Sequence, residues 1–515
     1  MTTYILACFN ISHPRPRDLY LMDGFDETVH DSERTPLLDQ QRPKTKTPLD
    51  KLQLGIVLAG TICEAICSQS IYPYVNELVS TLDIIGGDKT KIGYYAGMIE
   101  SLFFATEALT VFQWSRLSDN IGRKPVLMIG LMGTIISMLA FGLSKTFLTL
   151  VISRCLCGLL NGNIEIVVLG VMKSTMGELT DKTNRADAFA LMPALWGFGA
   201  TMGPLLGGTL TRPSDNFPTI FTGQFWKEYP YFLPCLAPAS IVFVIFLVTG
   251  IWFKETVTSK PTTSRSASAE SLVAEYDGSG KNPDDAHITL FNLLTFPVAI
   301  SISNYMCLAF LNIAASALIP LFFHMPIALG GLGLDPVTIG YAIGVYGMGT
   351  GAFQILFFAK LVRRFGNRRT FIMSMGALIP LFLMFPVISL LAKSCGVFWG
   401  VWALAGILMC LLLVMDTAYG CIFIYVTESA PNRRSLGATN GLAQTTVSTA
   451  RAIGPVLSTS LFSYSIRHNI LSGYGVYFIL TGLSSLALLL AAQLPVKTRA
   501  ETKDEPEENN SDLVH

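Results

Sequence analysis

Glu64, Glu107, Arg154, Asn161, Glu165, Asp416, Gln444 and Arg451 all interrupt apolar runs long enough to cross a lipid bilayer. Ionisable groups at that depth are costly, which makes each a candidate for handling a proton or a solute. Their spacings sort them onto helix faces. Arg154, Asn161 and Glu165 are seven and then four residues apart, Gln444 and Arg451 seven apart, and Glu100 and Glu107 likewise, so each set shares one side of its helix. The chemistry that fits is proton exchange. Burial favours a neutral carboxyl and a nearby Arg favours a charged one, so changing water access and that distance loads and unloads a proton. Glu165 beside Arg154 is the best local pair, and Asp416 and Arg451 are expected to face the same cavity. The competing reading for each residue is a static interhelical ion pair. Glu100 is open to two placements, at mid-depth or nearer a gate, and Glu64 can instead cap polar groups near Gln69. No His falls within a span, so carboxylates would carry any relay.

The elements that must hold these residues follow from composition. Of 515 residues, 51% are hydrophobic and 14% charged, with mean hydropathy +0.49, whereas soluble domains carry about a quarter charged residues. An all-α polytopic membrane protein is expected. Twelve spans can be drawn, at 54–79, 92–113, 126–144, 147–170, 187–210, 230–253, 297–323, 337–359, 370–392, 397–426, 437–461 and 472–494. They fall into two bundles of six, 51–253 and 297–494, joined by a Ser-, Thr- and Asp-rich linker at 254–296. The tails 1–50 and 495–515 are polar. The formal net charge is zero, and nucleic acid is not an expected partner. Basic residues cluster in the connections after the second, eighth and tenth spans: Arg123 and Lys124, Arg363 to Arg369, Arg433 and Arg434. Such clusters mark the cytosolic side, which also puts both termini and the linker there. The ten cysteines lie mostly inside apolar runs and read as small buried hydrophobes; no metal site is expected. Glu33-Arg34-Thr35-Pro36-Leu37-Leu38 has the form of an acidic dileucine sorting signal, which leaves the plasma and vacuolar membranes both open.

The connection Trp114-Ser115-Arg116-Leu117-Ser118-Asp119-Asn120-Ile121-Gly122-Arg123-Lys124-Pro125 is too short for a domain and is expected to be a tight charged loop. Gly122 suits an unusual backbone angle and Pro125 the first turn of the next helix. Leu117, Ser118, Asp119, Gly122, Arg123 and Lys124 resemble the signature loop of the major facilitator superfamily, with Ser115 in place of the usual Gly and Asn120 in place of a frequent Arg. Ala359–Arg368 repeats the stretch, with Leu361 and Gly366 at the separation of Leu117 and Gly122. Gly203-Pro204 in the fifth span and Gly454-Pro455 in the eleventh form a second echo. Parallel repeats of this kind are the superfamily's layout.

Two further motifs add to the resemblance. Arg154 to Gly162 resembles the fourth-helix Arg-x-x-x-Gly motif, in which the family ties the Arg to proton transfer. Gly197 to Gly208 resembles the antiporter motif, with Gly199, Gly203, Pro204, Gly207 and Gly208 in register. Gly199, Gly203 and Gly207 share a face that lets another helix come close. Gly177–Asn184, Trp196-Gly197 and Pro320–Phe323 resemble fungal members near the plant zinc-induced facilitators, although Cys63-Glu64-Ala65-Ile66-Cys67 departs from the plant Cys-x-Gly-Cys type motif. At the gate, Arg123 is expected to pair with Glu178 or Asp181, Glu428 with Arg364 or Arg368, and Asp119 to cap the eleventh helix. The resemblance implies no enzyme and no cofactor. It implies a monomer driven by the proton gradient that exports a small organic molecule, with protons and the bilayer as its other partners. An importing symporter and a non-transporting receptor or scaffold are the alternatives.

Overall fold

In lipid every backbone N–H and C=O must be satisfied within the protein, so apolar runs of this length fold as helices. The computed structural model describes residues 51–160, 185–255, 294–431 and 436–495, and among them there is no strand. The long helices are α1 (Lys51–Gln69), α2 (Ile92–Ile121), α3 (Arg123–Gly142), α4 (Phe147–Leu160), α5 (Arg185–Thr209), α6 (Phe232–Trp252), α7 (Phe296–His324), α8 (Pro336–Phe365), α9 (Asn367–Cys395), α10 (Trp399–Ser429), α11 (Leu436–Arg467) and α12 (Gly475–Ala491). Of these, α3, α6, α7, α8, α9 and α10 are long and apolar enough to cross a membrane by length and composition. Outside that set, α2, α5 and α11 carry the small and hydroxylated residues through which helices meet at close range.

Two expectations change. The run 54–79 is not one helix: α1 stops at Gln69, the chain turns, and a short helix Val75–Ser80 follows. The charged loop 114–125 is also mostly helix. α2 continues to Ile121 and α3 starts at Arg123, leaving Gly122 alone as the break, at φ 100° and ψ 162°. Polar residues end the apolar run without ending the helix, because a helix leaving the bilayer keeps its own hydrogen bonds. Gly366 between α8 and α9 has nearly the same backbone, φ 78° and ψ 161°, a region essentially reserved for glycine. The sequence echo is therefore an echo of conformation.

One apolar core joins α7, α9, α10, α11 and α12. Phe385 stacks on Tyr477 at 4.8 Å between centroids and meets Phe322 edge-on at 5.1 Å. A smaller core of Ile56, Cys67, Leu131, Met138 and Val242 joins α1, α3 and α6.

α5 is held on two faces. Toward α1, a methyl group on Gly203 would lie 2.7 Å from Ile66 O, and one on Gly199 or Gly207 would overlap Ala65 or Ser70 O. Toward α8, a methyl on Gly197 would lie 2.7 Å from Gly351 Cα, one on Gly340 2.6 Å from Pro204 O, and one on Gly208 3.0 Å from Gly340 Cα. The expected face of Gly199, Gly203 and Gly207 thus meets α1, while Gly197 and Gly208 meet a second partner. α2 and α11 cross in the same manner. Gly97 faces Pro455 O and the Thr459 side chain, and Ser101 Oγ accepts from Val456 N at 2.8 Å. One interhelical hydrogen bond between membrane helices contributes only about 0.6 kcal/mol. Close packing of backbone on backbone therefore contributes more to these crossings than the hydrogen bond does.

Replacing Gly207 by Val is expected to cost about 1–3 kcal/mol, the usual penalty of overpacking, and to lower the melting temperature of the detergent-purified protein. Gly482→Ala, at a position with open space around it, is expected to leave that temperature unchanged.

Candidate functional site

Asp416 on α10 faces α8. Its Oδ2 accepts from Tyr346 Oη at 2.6 Å and from Thr350 Oγ1 at 3.2 Å. Tyr346 and Thr350 are one turn apart, which aims both hydroxyls at one point. Tyr419, three residues beyond Asp416, donates to Asn312 Oδ1 on α7 at 3.0 Å, and Tyr305 on α7 donates to Gln444 Oε1 on α11 at 3.4 Å. The rings of Tyr305, Tyr419 and Phe423 lie 5.4 to 6.3 Å apart. Arg451 on α11 faces the Tyr419 hydroxyl. Asp416, Gln444 and Arg451, which the sequence singled out separately, are thus linked through tyrosines.

A second group surrounds Glu100 on α2. Its Oε1 accepts from Tyr72 Oη at 2.6 Å, from the turn that interrupts the first apolar run. Arg154 on α4 is 6% exposed and lies within Coulombic reach of Glu100. Its guanidinium sits 5.1 Å from the Phe103 centroid and 5.6 Å from that of Phe141. Rings beside a desolvated guanidinium offset part of the cost of burying it. Its Nε has no hydrogen-bond partner among the described residues. Both Arg154 and Arg451 act electrostatically on the Tyr72 hydroxyl, so the two groups share one polar region. Glu107 is buried further along α2 and Glu64 is half-buried on α1. Asn161 and Glu165 lie outside the described residues, and with them the expected Arg154–Glu165 pair. Two residues that the sequence did not single out, Tyr72 and Asn312, enter the site. A tyrosine within an apolar run gives no signal of its hydroxyl's partner, whereas Glu100 was legible as a charge.

At the charged turn the observed partner is Glu255, just past α6. Its Oε1 accepts from Arg123 N at 2.9 Å and its Oε2 from Lys124 N at 3.0 Å. A carboxylate is favoured at the start of a helix, where N–H groups lack partners. Lys124 Nζ donates in return to Gly250 O at 2.9 Å, near the end of α6. On the repeat turn, Arg368 donates to Ala492 O beyond α12, and Arg364 lies over the Phe365 ring, 5.7 Å from its centroid. Among the described residues no ion pair joins either to Glu428. Glu178 and Asp181 lie outside the described residues, as does the side chain of Asp119.

Glu255→Gln is expected to weaken the anchoring of α3 on α6 by about 0.5–2 kcal/mol, the range of a lost helix cap, read as a lower melting temperature. Glu255→Asp, which keeps the charge, is expected to recover part of the loss.

The family model of the Major Facilitator Superfamily matches residues 57–455 and 332–513. The "Major facilitator-type transporter psiT2" of Psilocybe cyanescens is 30% identical over 86% of this chain and 89% of its own length. The "Major facilitator superfamily multidrug transporter mfsB" of Aspergillus fumigatus is 30% identical over 82% and 80%. The "Protein ZINC INDUCED FACILITATOR 1" of Arabidopsis thaliana is 26% identical over 81% and 85%, in line with the resemblance seen in the motifs. Among solved structures, the POT family transporter PepTSo covers 89% of this chain and 100% of its own at TM-score 0.63 and 11% identity, a likeness of fold. Family model, relatives and helical architecture agree: this chain is a multi-pass membrane transporter that belongs to the Major Facilitator Superfamily.

Proposed function

We propose that the chain is a proton-coupled antiporter that exports a small organic molecule from the cytosol by alternating access. In this reading twelve spans form two six-helix bundles, 51–253 and 297–494, which rock about a central pocket, with both termini and the linker 254–296 in the cytosol. The observation that carries it is the pair of carboxylates met by tyrosine hydroxyls, Glu100 with Tyr72 and Asp416 with Tyr346, with Arg154 and Arg451 both within Coulombic reach of the Tyr72 hydroxyl.

Asp416 is the proton carrier. Its hydrogen-bond donors are hydroxyls, which can turn to accept from a protonated acid, so the same pocket serves both of its charge states. Glu100 has the Arg154 guanidinium within reach, and that pairing changes as the bundles move. Glu64, Glu107 and Gln444 are assigned to the same route, and the spacing of Asn161 and Glu165 from Arg154 in the sequence assigns them to it as well. The rings of Tyr305, Tyr419 and Phe423 beside Asp416 suit an amphipathic organic substrate, and Trp196 and Phe198 on α5 are exposed. The multidrug relative mfsB supports export over import. The membrane is the plasma or the vacuolar membrane.

The deciding measurement is flux in proteoliposomes under an imposed pH gradient, with a panel of amphipathic dyes. Antiport moves dye against the proton flow, symport moves it with the flow, and a receptor moves none. Asp416→Asn is expected to abolish gradient-driven accumulation while leaving dye-for-dye exchange intact. Tyr346→Phe, which removes one hydroxyl, is expected to slow coupled transport by about tenfold, corresponding to loss of a hydrogen bond to a charged group. Equal loss of accumulation and exchange in Asp416→Asn would assign that residue to substrate binding.

A further inference from the structure

A groove at the opposite end of the molecule from the charged turns takes no part in this transport reading. Between the last turn of α3 and the first turns of α4 lies an open cavity of about 410 Å³, floored by Ala140, Ile152 and Leu156 and rimmed by Ser144, Lys145 and Thr149. Its walls run outward into an apolar face on which Ile136, Leu148 and Ile152 are 52%, 66% and 57% exposed. On a membrane transporter such a face meets acyl chains.

The rim is not apolar. Lys145 pairs with Glu228, and both side chains remain about half exposed, at 46% and 49%. The Lys145 ammonium also lies 4.4 Å from the Tyr229 ring centroid. Glu228 beside it holds that ammonium above its ordinary pKa. Glu228 and Tyr229 belong to the connection between α5 and α6, an aromatic shelf in which Phe221 meets Trp226 edge-on at 4.8 Å and Trp226 meets Phe225 at 5.2 Å. Trp and Tyr concentrate at headgroup depth, which sets the level of the rim. A groove for a chain, topped by one positive charge, one negative charge and a ring, has the charge pattern of a lipid whose phosphate and ammonium are neighbours.

We propose that this groove binds one zwitterionic glycerophospholipid. Its acyl chain lies along Ala140, Ile152 and Leu156. Its phosphate sits on Lys145, which the Tyr229 ring holds in place, and its ammonium sits on the Glu228 carboxylate. The assignment needs the chain to be embedded in a bilayer and nothing about proton coupling, so the two readings stand or fall separately.

The test reconstitutes the full-length protein in bilayers of equal parts phosphatidylethanolamine and phosphatidylglycerol with matched chains, then measures lipid retained on extraction by native mass spectrometry. Retained phosphatidylethanolamine is expected to exceed its share about two- to fivefold, the scale set by exposed ion pairs. Glu228→Lys is expected to turn the preference toward phosphatidylglycerol. Thr149→Trp, which fills the groove, is expected to release the retained lipid with helical circular dichroism unchanged. Retention in the bulk ratio by the unaltered protein, or its preference for phosphatidylglycerol, overturns the proposal. So does unchanged retention in Thr149→Trp. Should Glu228→Lys fail to fold, the unaltered protein and Thr149→Trp decide the matter alone.

Discussion

A carboxylate among membrane helices has little water to share its charge, so its partners have to be built into the protein. The effective penalty for burying an ion is several kcal/mol, and each hydrogen bond to a charged group returns about 1.5–3 kcal/mol. Asp416 has two hydroxyl donors on one oxygen. Gain and penalty are then of similar size, and the charge is held with little to spare. Admitting water or withdrawing one hydroxyl is enough to tip the balance. A carboxylate locked in a bidentate arginine pair would be too deep in its well for that. A carboxylate held in this way suits the proton exchange proposed for it.

A similar balance governs how the helices around Asp416 are held. The rocking proposed for the two bundles needs contacts that are close yet easily shifted, and large interdigitating side chains are neither. Where α5 meets α8, Gly197, Gly208, Gly340 and Gly351 bring one backbone to the other, and small residues do the same where α2 meets α11. The contact of α5 with α1, through Gly199, Gly203 and Gly207, is equally close. α5 is therefore clasped from two sides with almost no side chain between, and its rotation is limited by backbone shape. Tyr346 and Thr350 stand on the same α8 that presents Gly347 to Ala200. Movement at the glycine contact is movement of the hydroxyls on Asp416.

Residues whose role depends on their own helix are readable in the sequence. The glycine face of α5 follows from spacing alone, and the signature turn follows from Gly122, whose backbone angles few other residues adopt. Residues whose role depends on another helix are not. Glu255 reaches Arg123 across 132 positions, and Tyr72 reaches Glu100 across 28; nothing in the local pattern announces either. The stretch 114–125 departs from the expected loop for a related reason. Polarity marks where the bilayer ends, and a helix does not have to end there.

The repeat itself shows how much of a site can be inherited without its chemistry. Gly122 and Gly366 hold nearly the same angles, yet the first turn is anchored by Glu255 and the second by Arg368 on Ala492 O. The two carboxylates of the polar region, which are not copies of each other, also differ in their partners. Each accepts from a tyrosine hydroxyl, but Glu100 has the Arg154 guanidinium within reach and Asp416 has a second hydroxyl, that of Thr350. Backbone constraints at a turn admit almost one solution, so both copies keep it. A side-chain partner admits many, so the two turns diverge. In the exchange proposed for this chain, unequal surroundings let one of the two carboxylates take the proton while the other steers the field around it.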